Sequence, residues 1–144
     1  MYKRTQIGWL TLILMGIAIL STAYVGILYS NWIVLSVSGI FVICIVLFAS
    51  LTVIVNDHSV EIRFGVGLFR KKFSLEEIES CTVARNRWWY GWGIRKIPKG
   101  WLFNVSGLDA VELLMRDGKV YRIGTDDPQK LGEFIQRKLS EGRQ

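Results

Sequence analysis

Between Thr5 and Asn56 the chain contains no Asp, Glu, Lys, Arg or His. From Ser80 to Leu108 it contains no acid, although cations are frequent there. Histidine occurs once, as His58, and there are 2 cysteines and 2 prolines. Each absence removes a class of function. An apolar region without carboxylate, amine or imidazole offers no residues for a proton relay, an ion pathway or a transport site. One His and two Cys, Cys44 within the apolar region and Cys81 in a predicted strand, support neither a zinc site nor a disulfide framework. Both cysteines read as small buried hydrophobes in a reducing compartment.

What is present is unevenly spread. The 144 residues are 51% hydrophobic with a net charge of +6 and a mean hydropathy of +0.31. Every acid, and every base except Lys3 and Arg4, follows Asn56. This shift separates an embedded region, residues 1–50, from a small water-soluble domain, residues 51–144. After a leader, Met1 to Gln6, the 23 uncharged residues from Ile7 to Tyr29 are long enough to span a bilayer. They exceed a signal-peptide core and are followed by a second apolar run, so a spanning helix is the better reading. Ser30-Asn31 breaks the pattern, and Trp32 to Ser50 forms that second run, giving an expected helical hairpin, 7–29 and 32–50. Tyr29 and Trp32 suit one membrane interface, Tyr2 and Trp9 the other. Gly16, Gly26 and Gly39 with Ser21, Ser36 and Ser38 favour close helix approach. Lys3 and Arg4 before the hairpin, and Arg63, Arg70, Lys71 and Lys72 after it, place both termini and the domain in the cytoplasm of a bacterial-type inner membrane. The sequon at Asn104 is then out of reach of glycosylation.

Beyond Ser50 the period changes from helical to alternating. Periodicity alone leaves open whether the second helix runs on through Val55, but Val60–Phe64 needs a mate, so Leu51–Val55 with the turn Asn56-Asp57 is read as its hairpin partner. Leu68–Phe73 and Ile78–Ala84 continue as strands, with Ser74-Leu75-Glu76-Glu77 matching a capping box for a single turn between them. Trp101–Val105, Ala110–Met115 and Lys119–Gly124 follow, the last two joined through Asp117-Gly118. Asp127-Pro128 predicts a helix start, and Leu131, Phe134, Ile135 and Leu139 mark its apolar stripe. The expected domain is mostly β, about seven short antiparallel strands in a small barrel or two packed sheets closed by a C-terminal helix.

The densest chemistry lies in about seventeen residues, Arg85 to Trp101, which hold four of the six Trp. Arg85, Arg87, Trp88, Trp89, Tyr90, Arg95, Lys96 and Lys99 are the candidate contacts for lipid or for a protein partner. At a membrane surface each cation contributes about 1 kcal/mol toward anionic lipid. The same residue types dominate protein-binding hot spots, including those of self-association. Trp101 and Trp92 are expected to fill the core instead. Nucleic acid is not expected, since no recognition helix or RNA-binding motif accompanies the charge.

The residues Leu51-Thr52-Val53 with Val60-Glu61-Ile62, Phe73 to Ile78, Gly91 to Arg95 with Lys99-Gly100-Trp101, and Leu113 to Gly124 with Pro128 resemble a bacterial pleckstrin-homology-like domain. The resemblance covers residues 51 to 139 and implies two nearly orthogonal antiparallel sheets capped by the final helix. It implies no catalytic residues. The residues agree: His58 stands alone in a turn, Gly65-Val66-Gly67 lacks the third glycine of a dinucleotide loop, and Gly91 to Gly100 lacks the Lys-Ser/Thr ending of a P-loop. Asp126-Asp127 is accounted for by helix capping. The sequence thus predicts a non-enzymatic, membrane-anchored binding or assembly module without cofactor, metal or small-molecule substrate. A lipid-sensing regulatory domain is the alternative.

Overall fold

The structure, a computed structural model, describes residues 1–142. Among these are nine strands and three α-helices in a mixed α+β arrangement, with two separate sheets and no closed barrel. The chain runs β1 (Tyr2–Ile7), α1 (Trp9–Leu28), α2 (Trp32–Phe48), β2 (Ser50–Val55), β3 (Ser59–Phe64) and β4 (Phe69–Ser74). It continues through β5 (Ile78–Arg85), β6 (Gly93–Ile97), β7 (Gly100–Asn104), β8 (Asp109–Met115), β9 (Val120–Gly124) and α3 (Pro128–Glu141).

Five of the six residues expected to be a leader, Tyr2 to Gln6, form a strand together with Ile7. β1 pairs antiparallel with β2, Tyr2 opposite Val55 and Ile7 opposite Ser50. Its residues are mostly polar, so nothing local marks it. β2 supplies the missing partner from beyond the helices, and an outer β1 residue, Thr5, bonds Thr52 hydroxyl to hydroxyl at 2.9 Å. The first sheet has the order β1-β2-β3-β4. Tyr2 therefore belongs to the domain, its ring 5.6 Å from that of Phe134 on α3, rather than to a membrane-interface belt.

The helical hairpin is an insertion between two paired strands. The chain leaves the sheet at Ile7 and returns to its register partner Ser50. One helix, α1, with 20 residues near the N-terminus, is long and apolar enough to cross a membrane. The second, α2, is equally apolar but has 17 residues, fewer than the expected 32–50, because Ser50 is already recruited by β1. Asn31 caps α2, its side chain accepting from Ile33 N and Val34 N, and Ser30 turns the chain with φ 49°. Thr22 and Ser38 hydrogen-bond across the helix pair at 2.8 Å. A Cβ on Gly26 would lie 2.8 Å from the Leu35 side chain, so glycine permits the close approach there, whereas Gly16 and Gly39 face open space. Ser21 and Ser36 bond carbonyls of their own helices.

The second sheet has the order β5-β8-β9-β7-β6. Its pairs are antiparallel except β7 with β9, which is parallel, contrary to the expected all-antiparallel pattern. The reason is the turn Asp117-Gly118: the β8–β9 hairpin it makes occupies the middle of the sheet, and the β6–β7 hairpin is left to join on β9's outer side. Gly118 has φ 84° and Lys119 N donates to Asp117 Oδ1 at 3.0 Å. The core between the sheets contains Leu51, Phe64, Phe103, Val111, Leu113 and Ile123. α3 closes it with Leu131 and Ile135, both fully buried, after Asp127 caps its start. Leu75–Glu77 forms the expected single turn, but Ser74 makes no capping bond.

Candidate functional site

Two junctions set the domain against the base of the helices. Gly8 lies so close to the β7–β8 connection that a Cβ there would stand 2.7 Å from Val105 O, and Thr11 Oγ1 donates to the same oxygen at 3.4 Å. Gln6 Nε2 donates to Ser106 O at 2.9 Å. On the other side, the β3–β4 turn touches the last turn of α2. A Cβ on Gly65 would run into the carbonyl oxygens of Val46 and Leu47, and the φ of 51° also suits glycine. That turn exposes Val66, Leu68 and Phe69.

The aromatic stretch is less of a loop than its glycines imply. After β5, Asn86 N donates to Leu108 O at 2.6 Å, and Trp88–Tyr90 form one 3-10 turn. Trp88 and Trp89 meet edge to face at 5.9 Å, Trp89 and Tyr90 at 6.3 Å, and the Arg87 guanidinium lies 5.1 Å from the Trp89 ring. Trp88 is 74% exposed and Trp89 57%. Gly91 and Gly93, at φ 68° and 97°, then turn the chain into β6, a strand the sequence reading left inside the loop. Ile94 faces inward from it, while Arg95 and Lys96 are exposed. Arg95 folds back, its Nε donating to Trp92 O at 3.0 Å.

β6 also divides the predicted contacts. Arg87, Trp88, Trp89 and Tyr90 cluster just before β6, and Arg95 folds back onto Trp92 O. Lys96 points to the opposite face of β6, and Lys99 lies beyond Ile97, about 13 Å along the strand from Gly93 at ~3.3 Å per residue. Arg85 ends β5, opposite Asp109 in register. Among the described residues none of the five cations makes an ion pair, whereas Arg4, Arg63, Arg122 and Lys138 each do.

Trp101 does not fill the core. It is 44% exposed, because its side of β7 reaches past the buried region, and Phe103, two residues on, takes the core position. Trp92 is half-buried, but against the helices. With Ile94, Met15, Cys44 and Phe48 it lines an open groove of about 430 Å³ at the base of α1 and α2. Its Nε1 is buried there and has no hydrogen-bond partner. No pattern in the sequence joined Trp92 to Met15 and Cys44, since the contact depends on how the β6–β7 hairpin sits against the base of α1 and α2.

Another cavity, of about 630 Å³, lies between β4 and the β8–β9 turn. It mixes Lys71, Lys72, Arg116 and Lys119 with Glu76, Glu77 and Asp117, so its charges nearly cancel. Among the described residues no three His, Cys, Asp or Glu side chains form a metal-binding group. Cys81 is buried under α3, its carbonyl accepting from Gln136 Nε2 at 2.8 Å, and burial pushes its thiol up to about 12. A thiol so disposed is no nucleophile at neutral pH. Comparison of the chain with models of known protein families, with curated proteins and with solved structures finds no match.

Proposed function

We propose that the chain is a non-enzymatic, membrane-anchored binding module. Its α1–α2 hairpin crosses the bilayer, and its two-sheet domain, pleckstrin-homology-like in kind, lies against the cytoplasmic surface. The observation that carries this reading is the insertion of both helices between paired strands. Because β1 and β2 are neighbours in one sheet, a chain that crosses with α1 must return with α2. At ~1.5 Å per residue α2 is about 26 Å long, short of a hydrocarbon core of about 30 Å. Local thinning of the bilayer accommodates a mismatch of that size at modest cost. The positive-inside rule supports the cytoplasmic side for both termini, because Lys3, Arg4, Arg63 and Arg70 lie on the sheet end of the hairpin and none lies at its turn.

The binding surface is the edge around Trp88, Trp89 and Tyr90 with Arg85, Arg87, Arg95, Lys96 and Lys99. Trp92 at the foot of the helices supports a headgroup-level position for this edge, as do the exposed Val66 and Leu68 beside the end of α2. A protein partner, or a second copy, is the other occupant consistent with the fold. β6 is an edge strand with a free row of backbone groups, to which another strand can add.

The test uses the full chain in proteoliposomes, with Cys44 and Cys81 changed to Ala and Trp88→Cys as the reporter. Its reaction with a water-soluble maleimide is expected to slow in anionic vesicles relative to phosphatidylcholine. Changing Arg85, Arg87, Arg95, Lys96 and Lys99 to Ser should erase that difference. Reaction at one rate in both lipids would refute the lipid-facing edge. A reporter fused after Gln144 that is active only outside the cytoplasm would refute the orientation.

A further inference from the structure

We propose that the outer face of the first sheet, with the β3–β4 turn at its end, docks on the surface of an anionic bilayer. The turn inserts Val66 and Leu68, and the cations of the face meet lipid phosphates. The proposal rests on the hairpin's crossing the bilayer and adds a second contact, separate from the Trp88 edge. Depth is the first argument. Gly65 lies against the carbonyl oxygens of Val46 and Leu47, so the turn sits beside the last turn of α2. At ~1.5 Å per residue, Val46 is about 3 Å inside the helix end at Phe48. Gly65 and Gly67 take φ 51° and 87°, and Gly67 N donates to Phe64 O at 2.8 Å, so the turn's shape is fixed in advance. Turns that face water carry polar residues between such glycines. Here the side chains are Val66 and Leu68, 73% and 77% exposed.

Charge is the second argument. The register aligns Thr5, Thr52, Arg63 and Arg70 in one row across the sheet and Lys3, Ile54, Glu61 and Lys72 in the next. Residues two apart on a strand share a face, so both rows lie on the outer one, opposite the buried Leu51, Val53 and Val55. Lys3, Arg63, Arg70 and Lys72 outnumber Glu61, the one acid among them. Arg63 and Arg70 stand directly opposite each other, a like-charged pair that an anion between them would relieve. Glu61 Oε1 accepts from Arg63 Nε at 2.7 Å, whereas among the described residues Lys3, Arg70 and Lys72 make no ion pair. A cleft of about 240 Å³ opens between Lys3, Thr52 and Arg63 on the sheet and Gly65 to Gly67 on the turn, room for a phosphate. Thr5 and Thr52 bond hydroxyl to hydroxyl there, and the one that accepts keeps its own hydrogen to donate. An acidic protein would complement the cations, but the turn, beside α2, has lipid for its neighbour.

The test uses the full chain in proteoliposomes, with Cys44 and Cys81 changed to Ala and one new cysteine carrying an environment-sensitive fluorophore. The quencher is a lipid with a nitroxide near the top of its acyl chain. A label at Leu68→Cys should be quenched, and more so in phosphatidylglycerol than in phosphatidylcholine vesicles. A label at His58→Cys, at the opposite end of the sheet, should not be. Each surface cation favours anionic lipid roughly fivefold, so Arg70→Ser with Lys72→Ser should lower the quenched-to-unquenched ratio in phosphatidylglycerol roughly 25-fold. Glu61→Gln, which removes the acid of the face, should raise it, a change of opposite sign that misfolding does not produce. A label at the exposed Ile17→Cys on α1 reports the hairpin itself. Quenching at Ile17 without quenching at Leu68 would overturn the proposal and leave the anchor standing, while none at either would overturn both. Equal quenching of Leu68 in the two lipids, unmoved by Arg70→Ser with Lys72→Ser, would also overturn it.

Discussion

Arg4 and Asp126, 122 positions apart, form a two-pronged ion pair: Nε to Oδ1 at 2.8 Å and Nη2 to Oδ2 at 2.9 Å. It ties the strand that precedes the helices to the turn that precedes α3, and Asp127, which caps α3, lies 3.9 Å from Nη1. The hydrogen bond from Arg4 holds the Asp126 carboxyl below its ordinary range. Both side chains are nearly half exposed, so water and salt weaken the pair. Asp126→Asn is expected to cost about 0.5–1 kcal/mol, read as a small drop in the thermal midpoint. Because the folded value is depressed, the contribution is complete above pH 4 or so, the ordinary value being 3.8, and disappears as pH falls through the lowered one. Wild type and Asp126→Asn should therefore converge in acid and in high salt. Equal stability of the two at pH 7 and low salt would show that the pair contributes nothing.

If β1 is part of the domain, cutting the chain after the helices is not a clean excision. A fragment of residues 50–142 lacks β1, so β2 becomes an unprotected edge with Leu51, Val53 and Val55 on its inner side. Apolar edges of this kind aggregate. Joining Ile7 to Ser50 through Asn-Gly replaces the hairpin by a two-residue turn between strands already in register. Gel filtration should find the fragment aggregated and the spliced chain monomeric. A monomeric, cooperatively melting fragment would mean that β1 is dispensable.

How much of this was legible beforehand follows the range of each interaction. The hairpin at Asp117-Gly118, the helix start at Asp127-Pro128 and the buried pair Leu131 and Ile135 rest on local rules, and the structure has them where the residues put them. Periodicity does not tell a strand at 51–55 from a continuing helix; the strand follows from the next one's need of a hairpin mate, and the structure has it as β2. β1 was not legible, because Lys3 to Gln6 carry no apolar alternation and their partner lies past two helices. β6 was hidden by its short length and by the adjacent cations Arg95 and Lys96. Trp101 misled because its face of the sheet was inferable but the length of the core along that face was not. The eight candidate contacts were visible as chemistry. The groove that joins Trp92 to Met15 and Cys44 was not, as it depends on where the two hairpins meet.

The two glycines at the junctions should both be sensitive to substitution. Gly65→Ala meets two carbonyl oxygens of α2 that cannot rotate away, at a backbone angle unfavourable to side chains. It is expected to cost about 3 kcal/mol or more. Gly8→Ala presses on Val105 O at 2.7 Å and should also destabilise, though its φ of −79° is ordinary. Gly39→Ala, facing open space within α2, is the control and should not destabilise, since Ala is the better helix former by about 0.5–1 kcal/mol. Midpoints measured in one detergent rank the three. If Gly65→Ala melts with Gly39→Ala, the domain is not packed on α2 as described.

Cys81 supplies the last prediction, since its burial sets both a reactivity and a pH slope. Its folded-state value of about 12 exceeds the ordinary 9.0, so the native protein keeps the proton where the unfolded chain has lost it. Nothing changes below about pH 9. As pH rises from there toward 12, stability falls, by at most about 1.4 kcal/mol per pH unit. Cys81→Ala removes this contribution, so the fall in wild-type stability between pH 8 and pH 10.5 should be the steeper of the two in chemical denaturation. Over the same range iodoacetamide should leave Cys81 unmodified in native protein and label it once urea unfolds the domain, as peptide mapping can read. Rapid native labelling at pH 8 would mean that α3 opens readily from β5, and the parallel loss of stability in wild type and Cys81→Ala would mean that the thiol is not desolvated.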